Sequence, residues 1–200
     1  MDEPVTLIDF FEVPPASDEE FVAAWRSASD RLRALDVYLD AALHQSVAPD
    51  ARFRFAGVAR CPSPRALQEG LDHAGPSALA ARSSHAALYR QEREDSGPWQ
   101  LPAAAVVIDP FQVAPEADGV FLSGWDAAAS ALRERPGYLG GALYRSLSAA
   151  VYFRFVEITA WTGRDTYEEA LRHPGFLART NMRRSHIPFR SYPVLYTPVR

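Results

Sequence analysis

The chain contains no lysine: all 21 of its basic residues are arginine. That excludes every mechanism requiring a Schiff-base lysine. It has a single cysteine, Cys61, which cannot form an internal disulfide. Together with the acidic start Met1-Asp2-Glu3-Pro4, which lacks a signal-peptide core, this points to a reducing cytoplasm. No apolar run approaches the length of a membrane span, and no dense basic run offers a phosphate-binding face. The net charge of −4 argues in the same direction, so neither a membrane nor a nucleic acid is expected as partner.

What the chain does contain is itself, twice. Shifted by 100 residues, positions 8 to 55 match 108 to 155 without a gap at 19 of 48 positions, from Ile8-Asp9 and Ile108-Asp109 to Phe53-Arg54-Phe55 and Phe153-Arg154-Phe155. This is the signature of a fused duplication. Over the next 20 positions only 4 match, Glu69/Glu169, Leu71/Leu171, His73/His173 and Gly75/Gly175. The copies therefore share a frame and diverge in one stretch, which is where a difference in function should lie. The expected organisation is a first unit over 1–90, a linker over 91–102, rich in charge, Gly, Ser and Pro, and a second unit over 103–200.

Each unit reads as strand, helix, strand, strand, helix, strand. Val5 to Val13 and Ala105 to Val113 are rich in Val, Ile and Phe and are closed by prolines. Phe21, Trp25, Ala28 and Leu32, like Phe121, Trp125, Ala128 and Leu132, fall on one helical face. Ser17 and Glu20 form a capping-box pattern that Ala117 and Val120 lack, which predicts a firmer helix start in the first copy. Hairpins follow over Val37 to Cys61 and Tyr138 to Trp161, then a short helix, a second short helix, and a last strand at His85 to Arg90 or Tyr192 to Val199. This order predicts an α+β chain of two tandem ferredoxin-like βαββαβ units. Each such unit has one sheet face covered by helices and one open apolar face. Pairing those open faces gives an intramolecular dimeric α/β barrel, or a homodimer if last strands are exchanged with a second copy.

Alternation along Tyr152 to Trp161 separates Phe153, Phe155, Glu157, Thr159 and Trp161 from Arg154, Val156, Ile158 and Ala160. The uniformly aliphatic members of the second set suit the helix side. The mixed first set suits a cavity on the opposite face. The first copy has Gly57, Cys61 and Leu67 where the second has Glu157, Trp161 and Tyr167. One pocket is thus equipped for chemistry and the other is degenerate. The competing reading makes Trp161 core filler and Glu157 a solvent-facing edge residue. Asp9 and Asp109 occur in both copies and first suggest a structural task at a strand end. The repeated Arg54 and Arg154 suggest ion pairs, and His73, His173, His85 and His186 have no metal-ligand spacing. No metal is expected.

Val107-Ile108-Asp109-Pro110-Phe111, the Pro136-Gly137-Tyr138-Leu139-Gly140 turn, Tyr152-Phe153-Arg154-Phe155-Val156 followed by Trp161, and His173-Pro174-Gly175-Phe176 together resemble the antibiotic biosynthesis monooxygenase superfamily. The superfamily also includes heme-degrading enzymes and quinol oxygenases. The resemblance to its anthrone oxygenases implies a monooxygenase without metal, flavin or other cofactor, with O₂ as co-substrate and a polycyclic aromatic polyketide intermediate, anthrone-like or naphthol-like, as substrate. It implies catalytic roles for Trp161, Tyr167 and Arg179, the last in competition with Arg183 and Arg184. Glu157 stands where those oxygenases commonly carry asparagine, and there it could serve as general base or acid. Asp109, Phe111, Tyr144, Phe155, Thr159 and His44 are the expected substrate-binding set. Two alternatives remain open: an aromatic polyketide cyclase, to whose acid–base chemistry Glu157 is better suited than asparagine, and a non-catalytic binding subunit of a biosynthetic complex.

Overall fold

The computed structural model describes residues 3–74, 85–95, 103–174 and 189–199. The second short helix expected before each last strand lies outside the described residues, as do most of the linker, Arg179, Arg183, Arg184 and His186. The chain divides into two compact units. One is built on Met1–Gln91 with Ser146–Ser148 and Thr197–Arg200, the other on Glu92–Arg145 with Ala149–Tyr196. No helix among the described residues is long and apolar enough to cross a membrane.

In the first unit, β1 (Val5–Phe11) leads through a 3-10 turn to α1 (Asp18–Ala34), followed by β2 (Asp40–Ser46), β3 (Phe55–Cys61), α2 (Pro64–Ala74) and β4 (Ala87–Asp95). Strand β1 pairs antiparallel with β3 on one side and β4 on the other, and β3 pairs with β2, giving the order β4-β1-β3-β2. The second unit repeats this with β5 (Ala105–Val113), α3 (Asp118–Arg133), β6 (Tyr138–Ser146), β7 (Phe155–Trp161), α4 (Arg164–Arg172), β8 (Phe189–Ser191) and β9 (Val194–Pro198). There β5 pairs with β7 on one side and with β8 and β9 on the other, and β7 pairs with β6. This is the ferredoxin-like strand order in each unit, and the class is α+β.

The inward stripe of each long helix docks on aromatic residues of its own sheet. Phe21 lies 4.9 Å from Phe11 and 4.7 Å from Phe55, ring centre to ring centre. Phe121 lies 5.0 Å from Phe111 and stacks on Phe155 at 4.7 Å. All six rings are buried, each contributing about 1.5–3 kcal/mol through removal from water. The helix N-termini are clamped by the repeated arginines. Arg54 donates to Asp18 in the first unit, and Arg154 and Arg145 both donate to Asp118 in the second. These arginines hold a helix to its sheet.

Three expectations are corrected here. Ser17 makes no side-chain cap; a 3-10 turn closed by Ser17 N–H on Pro14 O (2.8 Å) starts α1, and Ala117 N–H on Ala114 O (2.8 Å) starts α3 in the same way. The helices begin alike because the proline-led turn, common to both copies, satisfies the backbone that a serine would have capped. The first unit's last strand does not end at Arg90 but continues through Gln91–Asp95, which composition had assigned to the linker. Arg93, which the division of the chain counts with the second unit, pairs there with Asp126 at 3.3 Å and with Glu92 at 3.4 Å. The second unit's last strand is split at Tyr192-Pro193. Pro193 has no N–H, and that of Tyr192 turns to Asp109 Oδ1 (2.9 Å) and Pro110 O (3.2 Å).

Divergence between the copies is compensated where helix meets hairpin. Gly70 on α2 lies against buried Val37, and a Cβ at 70 would overlap the valine Cγ2. In the second unit the helix position is Ala170, buried, and the position facing it in the repeat is Gly137 at φ +81°. Gly70→Ala is expected to cost about 1–2 kcal/mol, with an overpacking penalty exceeding the gain in helix propensity. Urea denaturation should show the loss, and Val37→Ala in the same chain should recover part of it. An unchanged midpoint for the single variant would refute the packing argument.

Candidate active site

The second unit's sheet carries a polar and aromatic group on its helix-facing side. Asp109 on β5 and Glu157 on β7 are direct cross-strand partners, so both carboxylates point to the same face. Phe111 and Phe155 lie beside them in the cluster that α3 covers with Phe121, Trp125 and Ala129. Trp161 lies at the other end of β7, packed with Leu132 of α3 and Ala170 of α4, and with Tyr138 and Tyr167 against it. The Tyr138 and Tyr167 rings stand edge-on to Trp161 at 5.2 and 5.4 Å.

This corrects the assignment of faces. The set Phe155, Glu157, Thr159 and Trp161 faces the helices, and Val156, Ile158 and Ala160 lie on the opposite face. A carboxylate is tolerated under helices because they bring it a donor: Trp125 Nε1–H of α3 bonds Glu157 Oε1 at 2.6 Å. The aliphatic set needs no such donor. His44 and Tyr144, expected to bind substrate, also lie on the faces away from the helices. Each neighbours an inward leucine, Leu43 or Leu143, and pairs across its own sheet with Ala56 or Val156. His44 is buried, and burial pulls its imidazole down to about 4, so it is neutral at pH 7.

The structure thus places Asp109, Phe111, Phe155, Glu157, Thr159 and Trp161 on one sheet face, Phe111 and Phe155 in one cluster and Trp161 with Tyr167 in another. It separates His44 and Tyr144 from them. Glu157 is half-buried, whereas Trp161 is fully enclosed and its indole N–H bonds Thr159 Oγ1 at 3.0 Å. Burial, reinforced by Glu157, raises the Tyr138 phenol above its ordinary range; burial, with Asp109 and Glu157, does the same to Tyr167. Both stay protonated at neutral pH and are hydrogen-bond donors toward an anion. Asp109 uses Oδ1 to hold the Tyr192 backbone N–H, the structural task its recurrence suggested.

Sequence reasoning missed two members. Trp125 reads as one more core residue of the helical stripe; the signal was an indole N–H needing an acceptor on the face it buries. Tyr138 reads as a strand start, but its hydroxyl reaches over Gly141, where a Cβ would lie 2.9 Å from it. In the first unit, Trp25 Nε1 lies 3.3 Å from where a Cβ on Gly57 would be. The tryptophan remains there without its carboxylate. Cys61, in place of Trp161, is buried with its thiol pushed up to about 11 by burial, and the Tyr38 phenol beside it goes up to about 12, also chiefly by burial.

No family model matches the chain, and no curated protein matches it. Solved structures do. An anthrone oxidase-like protein superposes with a TM-score of 0.72 at 14% identity, over 100% of this chain and 92% of its own. A candidate monooxygenase from Fusobacterium nucleatum gives 0.69 at 12% identity, over 100% and 94%. A ferredoxin-fold protein from Listeria monocytogenes related to antibiotic biosynthesis monooxygenases gives 0.57 at 14% identity, over 100% and 96%. The chain therefore has the ferredoxin-like fold of proteins related to antibiotic biosynthesis monooxygenases.

Proposed function

We propose that the chain is a tandem pair of such units, 1–90 and 103–200, and that the second is a cofactor-independent monooxygenase acting on an anthrone-like or naphthol-like aromatic polyketide intermediate. The observation that carries this reading is the half-buried Glu157 carboxylate, held by an indole N–H, with the phenols of Tyr138 and Tyr167 near enough to feel its charge. Glu157 takes a proton from the activated methylene of the bound substrate. The resulting carbanion gives one electron to O₂, and the carbon radical and superoxide combine into a peroxide. Loss of water from that peroxide leaves a carbonyl, so one methylene and one O₂ become one quinone carbonyl and one water. The neutral phenols of Tyr138 and Tyr167 donate to the substrate oxyanion that forms on deprotonation, and the enclosing rings keep water from quenching it. Arg179 is retained as a candidate contact for that anion.

Gly57, Cys61 and Leu67 leave the first unit without counterparts of Glu157, Trp161 and Tyr167, although it keeps Trp25 and Tyr38, so it serves as scaffold. A cyclase is the second reading, favoured by the paired carboxylates Asp109 and Glu157, which suit proton transfers in a condensation that consumes no oxygen. An oxygen electrode with a simple anthrone decides: uptake should be faster with the protein than without it. Equal rates reject the oxygenase, and conversion of a poly-ketone under anaerobic conditions would favour the cyclase.

A further inference from the structure

Two carboxylates directly opposite on adjacent strands disfavour each other's charge, and the more enclosed such a pair is, the more strongly one member is driven to hold a proton. Asp109 and Glu157 are such a pair, and a base must be ionised to act. We propose that Trp125 is a positioning residue: its indole N–H holds Glu157 Oε1, keeps that carboxylate ionised beside Asp109, and fixes the direction of its other oxygen. The bond is short, 2.6 Å, and its donor sits on a tryptophan that is 2% exposed, so the indole is shielded from competing water.

The first copy supplies the comparison. Trp25 occupies the same helix position, and Asp9 the same strand position opposite Gly57. With no second carboxylate opposite Asp9 there is no like-charge pair, and the Trp25 indole nitrogen lies 3.3 Å from where a Cβ on Gly57 would be. Tryptophan at this position therefore accompanies the fold, and its N–H acquires a task only where position 157 is acidic. Among the groups that act at Glu157 are Asp109 from β5, the Tyr138 phenol from β6 and the Tyr167 phenol from α4, with Arg133 of α3 acting on Tyr138 and Glu168 of α4 on Tyr167. Neither phenol carries charge near neutral pH; at Glu157 the Trp125 N–H favours the ionised form and the Asp109 charge disfavours it.

The inference rests on Glu157 being the base of the proposed reaction, but its test needs no substrate. In the wild type, one of the four indole N–H resonances should move as Glu157 protonates, with the same midpoint as the Glu157 side-chain carbon, and Glu157→Gln should remove that response. Trp125→Phe keeps an aromatic ring and deletes the donor; it should raise the Glu157 midpoint by about one pH unit. The acid limb of the kcat/KM profile should move with it, by the same amount. An indole set that ignores the titration, a Glu157 midpoint above neutral pH in the wild type, or a midpoint unchanged in Trp125→Phe would each overturn the assignment. The wild-type measurement stands even if Trp125→Phe does not fold. Failed oxygen uptake alongside a normal titration would reject the oxygenase and leave the Trp125–Glu157 pair intact.

Discussion

Glu157→Gln is expected to slow conversion of an anthrone-like substrate by roughly 10²–10⁴-fold, the range that a positioned general base contributes. Glutamine keeps the length of the side chain, and its carbonyl oxygen can still accept from Trp125 N–H, so the helix and sheet remain joined. The thermal midpoint should therefore hardly change while turnover collapses. Because the lost step is proton removal, kcat should fall while substrate affinity is largely kept. Steady-state oxygen uptake with both proteins, matched by calorimetry, checks this. A variant that retains full activity would remove the base from the mechanism and favour the binding-subunit alternative.

Trp161→Ala should instead act on the fold. The indole is fully enclosed between Tyr138, Tyr167, Leu132 and Ala170, and its N–H is satisfied by Thr159. Truncation removes that packing, leaves a cavity where two helices meet the sheet, and orphans the threonine hydroxyl. The expected loss is about 3–5 kcal/mol, read from the denaturant midpoint. Trp161→Phe should lose less, since a ring still fills much of the space. A stability change below about 1 kcal/mol for the alanine variant would mean that the site relaxes freely, contrary to the close packing described.

Much of this architecture was legible because positions 8 to 55 and 108 to 155 carry the same residue pattern, so each element could be read twice. The strand, helix and hairpin pattern is carried by local periodicity, and Phe121 and Trp125 announce their inward face by spacing alone. Which side of the sheet holds the polar residues was not legible. Alternation sorts Glu157 from Val156 but does not say which set meets the helices; that depends on a donor 32 residues away, the indole of Trp125. An aliphatic row looks suited to a helix, yet it suits any dry surface. The split at Tyr192-Pro193 escaped for a similar reason: the acceptor that claims the Tyr192 N–H is a side chain 83 residues earlier in the chain. His44 and Tyr144 were placed by analogy of position, and a one-residue step along a strand moved each to the far face.

The exchange of Gly70 with Val37 for Ala170 with Gly137 has a further consequence. A recombination event that copied the first repeat's hairpin start into the second would set valine at 137, where the backbone sits at φ +81° and a Cβ would lie 2.6 Å from Thr162 Oγ1 and Thr166 Cβ. Branched side chains avoid that conformation, so the hybrid would be strained and crowded at once. The hairpin start of one unit is thereby not interchangeable with that of the other.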